Sequence, residues 1–348
     1  MNRIPRSAML PALLILGGIA QCQDIGAKVD QYLEGLLKQN RFSGAILLAK
    51  DGKVVHSKAY GQADRELNVP NTTATKFRLG SITKQFTAVA ILQLAEKKKL
   101  TLDETAAKYI PDSHEGWKKV TIRHLLQHTS GMPSFTGFPD YSKFKVLPGT
   151  GPELIARFKD KDLEFEPGSQ YRYSNSGYYL LGYIVEQVSG MSYENYLRAN
   201  IFDPLGMSDT RCDSNATIIA RRASGYTSGL VEVQNATYID MSVPGGAGNM
   251  ISTVEDLFRW DRALYTDKVL SKASRDAMFT PGKNNYGFGW AITRSGERLV
   301  IGHGGGIDGF NTQILRYPEQ DAVLIALSNI NTEMPPITRE LEAILFGQ

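Results

Sequence analysis

Phe77-Arg78-Leu79-Gly80-Ser81-Ile82-Thr83-Lys84 places a serine and a lysine one helical turn apart, and the reading of the whole chain turns on this stretch. A serine hydroxyl is a poor nucleophile near neutral pH and needs a base within hydrogen-bond reach. Residues i and i+3 of a helix face the same way, with Cβ atoms about 5–6 Å apart. A lysine there can take the hydroxyl proton if burial or neighbouring cations keep its amine neutral part of the time. The pair is a candidate acyl-transfer centre. Spacing alone is weak support, because Ser142-x-x-Lys145 repeats it.

Working outward, Ser81 opens a long helix in which Ile82, Phe86, Val89, Ala90 and Leu94 form an apolar stripe. Upstream, residues 25–37 read as an amphipathic helix with Val29, Tyr32, Leu33, Leu36 and Leu37 on one side. Residues 44–48 and 54–60 are β-rich runs joined around Asp51-Gly52, a hairpin signal. Downstream, helical patterns cover 122–127, 153–158, 177–188, 193–201 and 253–265. Strand patterns return at 288–293, 299–302, 310–316 and 322–328, and 338–345 reads as a closing helix. The expected fold class is α/β of the α+β type: an antiparallel sheet built from both termini, flanked by helices, with a mostly helical inserted subdomain. The sheet part covers about 24–78 and 285–348, the helical part about 79–284. No internal repeat or long linker divides 24–348, which reads as one domain.

The 348 residues, with 42% hydrophobic and 22% charged, have the balance of a soluble globular protein that builds its own core. The first 20 residues differ. Arg3 and Arg6 precede an apolar run from Ala8 to Ala20, and Gly18-Ile19-Ala20 has the small-x-small form of a cleavage site. This is the pattern of a secretory signal peptide over 1–20, implying a secreted or periplasmic protein, and a run of about 13 apolar residues is too short for a transmembrane span. Cys22 offers a rival reading, a lipid anchor after cleavage, ranked second because Gln21 stands where a small residue is usual. Without Arg3 and Arg6 the net charge falls to near +1, and no basic stripe remains, which argues against nucleic acid as a partner. Cys22 and Cys212 are the only cysteines, far too few for a disulfide scaffold.

Three patterns follow in order: Ser81-x-x-Lys84, Tyr173-Ser174-Asn175 and His303-Gly304-Gly305. Each has a decoy. Ser142 lies in a stretch rich in Pro, Gly and aromatics, read as a loop that leaves Lys145 unplaced. Tyr193 and Asn195 sit at i and i+2 of an expected helix and point apart. His114 follows Pro111-Asp112 in a polar turn.

The longer surroundings separate the set from its decoys. The chain resembles the serine β-lactamase and penicillin-binding-protein superfamily, in particular its class C, DD-carboxypeptidase and esterase branch. The resemblance is carried by Phe77 to Phe86, by Thr121 to Met132, by Pro167-Gly168 through Tyr178, by Pro204-Leu205-Gly206-Met207, and by Gly248 to Thr253 with Asp256-Leu257. It spans about 42–329. It implies a serine hydrolase working through an acyl-serine on Ser81, with Lys84 beside it and Tyr173 moving the proton to the leaving group. Which of Lys84 and Tyr173 is the acylation base stays open. Asn175 would contact substrate and orient Lys84, and the N–H groups of Ser81 and Gly306 would form the oxyanion hole. Gly304, Gly305 and Gly306 lack Cβ atoms and let a strand pass close to an acyl group.

His303 stands where classical β-lactamases carry lysine. Histidine has an unperturbed pKa of about 6.5 and is charged only part of the time at neutral pH, which disfavours strong β-lactamase activity. The expected substrate is therefore an ester, an amide or a D-amino-acid peptide. The alternatives are a class C-like β-lactamase and a penicillin-binding sensor that acylates without turnover. Other patterns carry less. His124 and His128 have a zinc-like i, i+4 spacing but no third ligand nearby, so core or supporting hydrogen bonds are expected and no metal or cofactor. Gly304-x-Gly306-x-x-Gly309 leads into a strand at Phe310 rather than the helix a dinucleotide site needs. Phe135, Phe138, Tyr141 and Phe144 either line a substrate rim or cover the helical insert.

Overall fold

Two groups of strands from opposite ends of the chain meet in one sheet. The computed structural model describes residues 10–110, 112–228 and 232–348, with side chains from Asp24 onward. Arg3 and Arg6 of the expected leader lie outside the described residues, as does the Cys22 side chain. Strands Gly44–Lys50 (β1), Lys53–Tyr60 (β2), Ala291–Ser295 (β3), Arg298–Ile307 (β4), Phe310–Tyr317 (β5) and Ala322–Ser328 (β6) form an antiparallel sheet in the order β3-β4-β5-β6-β1-β2. Asp51 and Gly52 have φ of +51° and +69°, the two positive values that a type I′ hairpin turn requires.

Alternation along β1 builds two cores. Ile46 and Leu48 face one side and Ala45, Leu47 and Ala49 the other. Helices Leu10–Lys38 (α1), Thr83–Glu96 (α2), Val254–Ala263 (α4) and Met334–Phe346 (α5) cover these faces, and Asn175–Ser189 (α3) packs on α2 within the helical insert. Val29, Leu33 and Leu36 of α1 join Leu341 and Leu345 of α5 over Ile46 and Leu48. The opposite face packs against α2 and α4, beyond which the helical insert continues. Among the described residues no helix is long and apolar enough to cross a membrane.

α2 departs from the expected stripe. It is buried on every side from Thr83 to Leu94. Its polar residues are bonded internally: Gln85 Oε1 accepts from Trp260 Nε1 at 3.0 Å, and Thr87 Oγ1 donates to Gly246 O at 2.6 Å. Trp260 also stacks on Phe86, centroids 4.3 Å apart. Two strand limits differ as well. The run expected over 288–293 begins only at Ala291, because Gly289 turns the chain at φ +78° and Gly287 N–H bonds Trp290 O. The run expected to end at 302 continues to Ile307, since the glycines keep their ladder to β5 through Gly304↔Gln313 and Gly306↔Asn311.

A buried ion pair joins α4 to the sheet. Arg316 Nε donates to Asp261 Oδ1 at 2.6 Å, and Arg316 and Asp261 are 2% and 0% exposed. Asp261→Ala would strand the guanidinium in a medium that solvates it poorly, at an expected cost of about 3–5 kcal/mol. Urea unfolding checks this, and adding Arg316→Met should restore much of the loss.

Candidate active site

Ser81 sits in a 3-10 turn, Gly80–Ile82, directly before α2 rather than in the helix itself. That turn is pinned from three sides. Phe77–Arg78 pairs with Met250–Ser252, which also pairs with Arg211–Cys212, in a small sheet that no long apolar run announces. Leu79 N–H bonds Met250 O at 2.8 Å, and Thr312 Oγ1 of β5 donates to Leu79 O at 2.8 Å. Gly80 takes φ +53°, and a Cβ there would lie 2.8 Å from Gly306 N. Glycine is thus required twice, for the turn and for the approach of β4.

Lys84 follows one turn into the structure and is fully buried. Burial without a carboxylate partner holds its pKa well below the ordinary lysine value. Its Nζ lies 2.7 Å from Ala247 O, 2.8 Å from Asn175 Oδ1 and 3.1 Å from Ser81 Oγ. A neutral amine has two N–H groups and one lone pair. Ala247 O and Asn175 Oδ1 can only accept, so they take both N–H groups. The lone pair then faces Ser81, whose hydroxyl donates to it. This is the arrangement a general base needs.

Asn175 opens α3 behind the N-cap Ser174, which fixes its side chain toward Lys84. Its Nδ2 donates to Thr136 Oγ1 at 3.0 Å and its backbone N–H to Ser134 Oγ at 3.0 Å, which sets the amide orientation. Tyr173 stands half-buried beside them with its hydroxyl enclosed, and the Lys84 amine lies 4.8 Å from its ring centroid. Its hydroxyl has no hydrogen-bond partner among the described residues, and the Ser81 hydroxyl is the group that faces it. Burial pushes the phenol up, so Tyr173 keeps its proton at neutral pH. His128 stacks on Tyr173 with centroids 4.2 Å apart, and its Nδ1 accepts from Ser174 N–H at 3.1 Å. His128 therefore holds both the ring and the backbone of the tyrosine loop. His124 is used locally, its Nδ1 accepting from Thr121 N–H in a capping box.

His303 corrects an expectation. Its ring is buried, and both nitrogens are engaged, Nδ1 with Gly304 O at 2.6 Å and Nε2 with the Tyr286 hydroxyl at 2.9 Å. A carbonyl only accepts, so Nδ1 carries a proton. Burial is the main cause that lowers its pKa to about 4, so Nε2 is bare at neutral pH and accepts from Tyr286. His303 is neutral rather than partly charged, and it does not line the cleft. Gly306 does, while Gly304 and Gly305, together with Gly306, border a second groove that includes Met334 and Arg339.

The unfolded chain takes up the His303 proton near pH 6.5 and the folded chain only near 4, so stability falls as pH drops through that window. Proton uptake on unfolding between these limits is the expected result. A His303 ring that titrates near 6.5 by NMR would contradict it.

The cleft beside Ser81 has a volume of about 450 Å³ and includes Phe135, Tyr141, Asn175, Lys145 and Asp308. Phe135 and Tyr141 thus line a substrate rim, while Phe144 packs into the core. Lys145 is also better placed than its sequence suggests. Tyr141–Phe144 is a short helix, Ser142 on it faces solvent, and Lys145 pairs with Asp308. Tyr193 is buried and bonded to Thr87, away from the cleft. Ala247 O, Thr136 and Tyr286 join the site without a sequence motif of their own, and His128 takes the supporting role expected of it. The run Pro244-Gly245-Gly246-Ala247-Gly248 is a visible signal for Ala247 alone.

Comparisons with known proteins agree with this architecture. Residues 29–347 match the Beta-lactamase family. The chain is similar to "Penicillin-binding protein 4*" of Bacillus subtilis (strain 168), 34% identical over 342 residues, covering 90% of this chain and 75% of that one. Among solved structures it is similar to the octameric penicillin-binding protein homologue from Pyrococcus abyssi, with TM-score 0.81, 29% identity, and coverage of 92% and 77%. It is similar too to the D-amino acid amidase from Ochrobactrum anthropi SV3, with TM-score 0.78, 26% identity, and coverage of 94% and 98%. A match over nearly the full length, on a chain whose serine and glycine strand line one cleft with the lysine and tyrosine packed behind the serine, means that this protein belongs to the β-lactamase family.

Proposed function

We propose that this chain is a serine hydrolase that cleaves an ester or amide bond through a covalent acyl-Ser81 intermediate, favouring small esters and D-amino-acid amides or peptides over β-lactams. The observation that carries this reading is the buried Lys84 amine, whose two N–H groups are taken by Ala247 O and Asn175 Oδ1 and whose lone pair is left for Ser81. As Oγ attacks the carbonyl, Lys84 takes its proton, and the N–H groups of Ser81 and Gly306 receive the developing oxyanion. Lys84 then returns the proton to the leaving oxygen or nitrogen through the Tyr173 hydroxyl, which is protonated and faces Ser81. In the second half a water gives up a proton along the same route and attacks the acyl carbonyl. The acid leaves and Ser81 is restored.

The substrate preference draws on two supports. The neutral His303 supplies no cation for a carboxylate next to the nucleophile, and the similar proteins include an amidase of D-amino acids. A fluorophosphonate should label the wild type and spare Ser81→Ala; equal labelling of both would sink the assignment. Turnover of a short-chain nitrophenyl ester, nitrocefin and a D-Ala-D-Ala peptide would rank the substrates, and turnover beyond one equivalent would exclude a stalled sensor. The Arg3, Arg6 and Ala8–Ala20 pattern supports export with cleavage after Ala20. Amino-terminal sequencing of the exported protein tests this, and a full-length cytoplasmic product argues against it.

A further inference from the structure

The cleft that holds Ser81 also holds an ion pair that the chemistry does not use. Lys145 Nζ donates to Asp308 Oδ1, and the same oxygen accepts from Thr237 Oγ1. Lys145 also reaches Thr237 Oγ1 at 3.2 Å. The side chains of Lys145 and Asp308 are only 15% and 18% exposed, among the apolar walls Phe135, Tyr141, Ile239, Ile307 and Phe310. An ion pair so far removed from water costs desolvation energy that its own attraction barely offsets, so unused bonding capacity in it is informative.

That capacity is specific. Asp308 Oδ1 takes both protein bonds, and Oδ2 takes none among the described residues. An ammonium has three N–H groups, and Lys145 directs two of them to Asp308 and Thr237. The opposite charges cancel, so the pair exerts little net pull on a charged substrate. It still presents one strong acceptor beside one strong donor. An extended peptide residue presents its N–H and its C=O on the same edge, the pattern by which antiparallel strands exchange two bonds. The two patterns are complementary.

We infer that Lys145 and Asp308 form a subsite for the backbone of a peptide-like acyl chain, with substrate N–H donating to Asp308 Oδ2 and Lys145 N–H donating to the substrate C=O. The preferred acyl donor then carries at least one further amide beyond the bond cleaved, with its side chains against the apolar walls. This inference rests on the acyl-Ser81 reading and narrows its substrate class. Simple alkyl esters fit the cleft but leave the pair unanswered. Amino acids with a free ammonium meet a site whose negative charge is already matched.

The test uses three thioesters with one leaving group: acetyl-diglycyl, its isostere with the first glycine N–H replaced by CH₂, and diglycyl with a free ammonium. Glycine keeps stereochemistry out of the comparison. In the wild type the acetyl-diglycyl donor should exceed its isostere in kcat/KM by about tenfold or more, the range for a hydrogen bond to a charged group. Asp308→Asn should bring that ratio toward 1, chiefly through KM. Asp308 also ties residues 141–147 to the β4–β5 turn, so Lys145→Gln is the second variant and should lower the ratio through the other bond. An unchanged ratio, with both donors falling together, would overturn the subsite and leave a purely structural tie. Selective loss of the free-amine donor would also overturn it, in favour of charge recognition. If the wild type turns over none of the thioesters and a fluorophosphonate does not label it at Ser81, the underlying reading fails and the subsite with it.

Discussion

Lys84→Met should abolish turnover and make the stability of the protein respond differently to pH. Methionine keeps the length of the stem but removes the base, and losses on the order of 10⁴–10⁶ in kcat are typical when a member of a nucleophile–base unit is deleted. A pH-dependent stability follows from burial. Burial pulls the Lys84 pKa well below its value in the unfolded chain, so the native protein bears a cost for enclosing the amine that the unfolded chain does not. The sign is definite: this cost grows as pH falls below the unfolded lysine pKa of about 10.4. A thioether carries no such cost, but it leaves Ala247 O and Asn175 Oδ1 without their donor, at about 1–3 kcal/mol each. Calorimetry of wild type and variant at pH 7 and pH 9.5 separates the two effects, and the variant should compare less favourably with the wild type at the higher pH. Lys84→Arg should not rescue activity, because a guanidinium stays charged and has no lone pair to offer. A stability difference that is the same at both pH values would show that burial does not lower the pKa of the amine.

Gly305→Ala is the second large effect. A Cβ at this position would lie 1.9 Å from Leu79 O and 2.3 Å from Thr312 Oγ1. Leu79 O is backbone, two residues before the nucleophile, so it cannot swing aside. β4 must withdraw from the Ser81 turn and take the neighbouring Gly306 N–H out of range of the oxyanion. Loss of one such donor costs about 10²–10³ in rate, and the forced repacking about 1–3 kcal/mol. Gly304→Ala provides the contrast, since its nearest neighbour would be the Gln313 side-chain oxygen at 3.1 Å. Comparable losses in the two variants would mean that backbone approach is not what the glycines provide.

The difference between legible and hidden parts of the site follows from how each is made. Ser81 and Lys84 are three residues apart, and Tyr173 and Asn175 stand on one short segment, so local pattern and order along the chain revealed them. Ala247 reaches Lys84 across 163 residues, and it does so with a carbonyl that any residue type possesses. His128 was visible as a histidine, but its role depends on Ser174 N–H, 46 residues away. Lys145 was set aside because nothing adjacent fixes it, and its partner Asp308 is 163 residues distant. The burial of α2 was underestimated for a related reason. Gln85 and Thr87 lie outside the apolar stripe seen in sequence, yet they are buried, and their partners come from α4 and the glycine-rich segment around Gly246. Local rules find the elements and the nucleophile, while long-range partners decide which polar residues are satisfied indoors.

The position of β6 has a consequence for how the protein comes into being. β6 lies between β5 and β1, with Leu47 opposite Ile325 in the register. A growing chain that has reached residue 321 already contains the nucleophile, its base, its tyrosine and the glycine strand. It lacks the strand that joins the two ends of the sheet, and contacts of such long sequence separation form slowly and late. Every catalytic side chain is therefore made well before any of them is held in place. The cleft is therefore expected to become active only once residues 322–328 have been added and paired between β5 and β1.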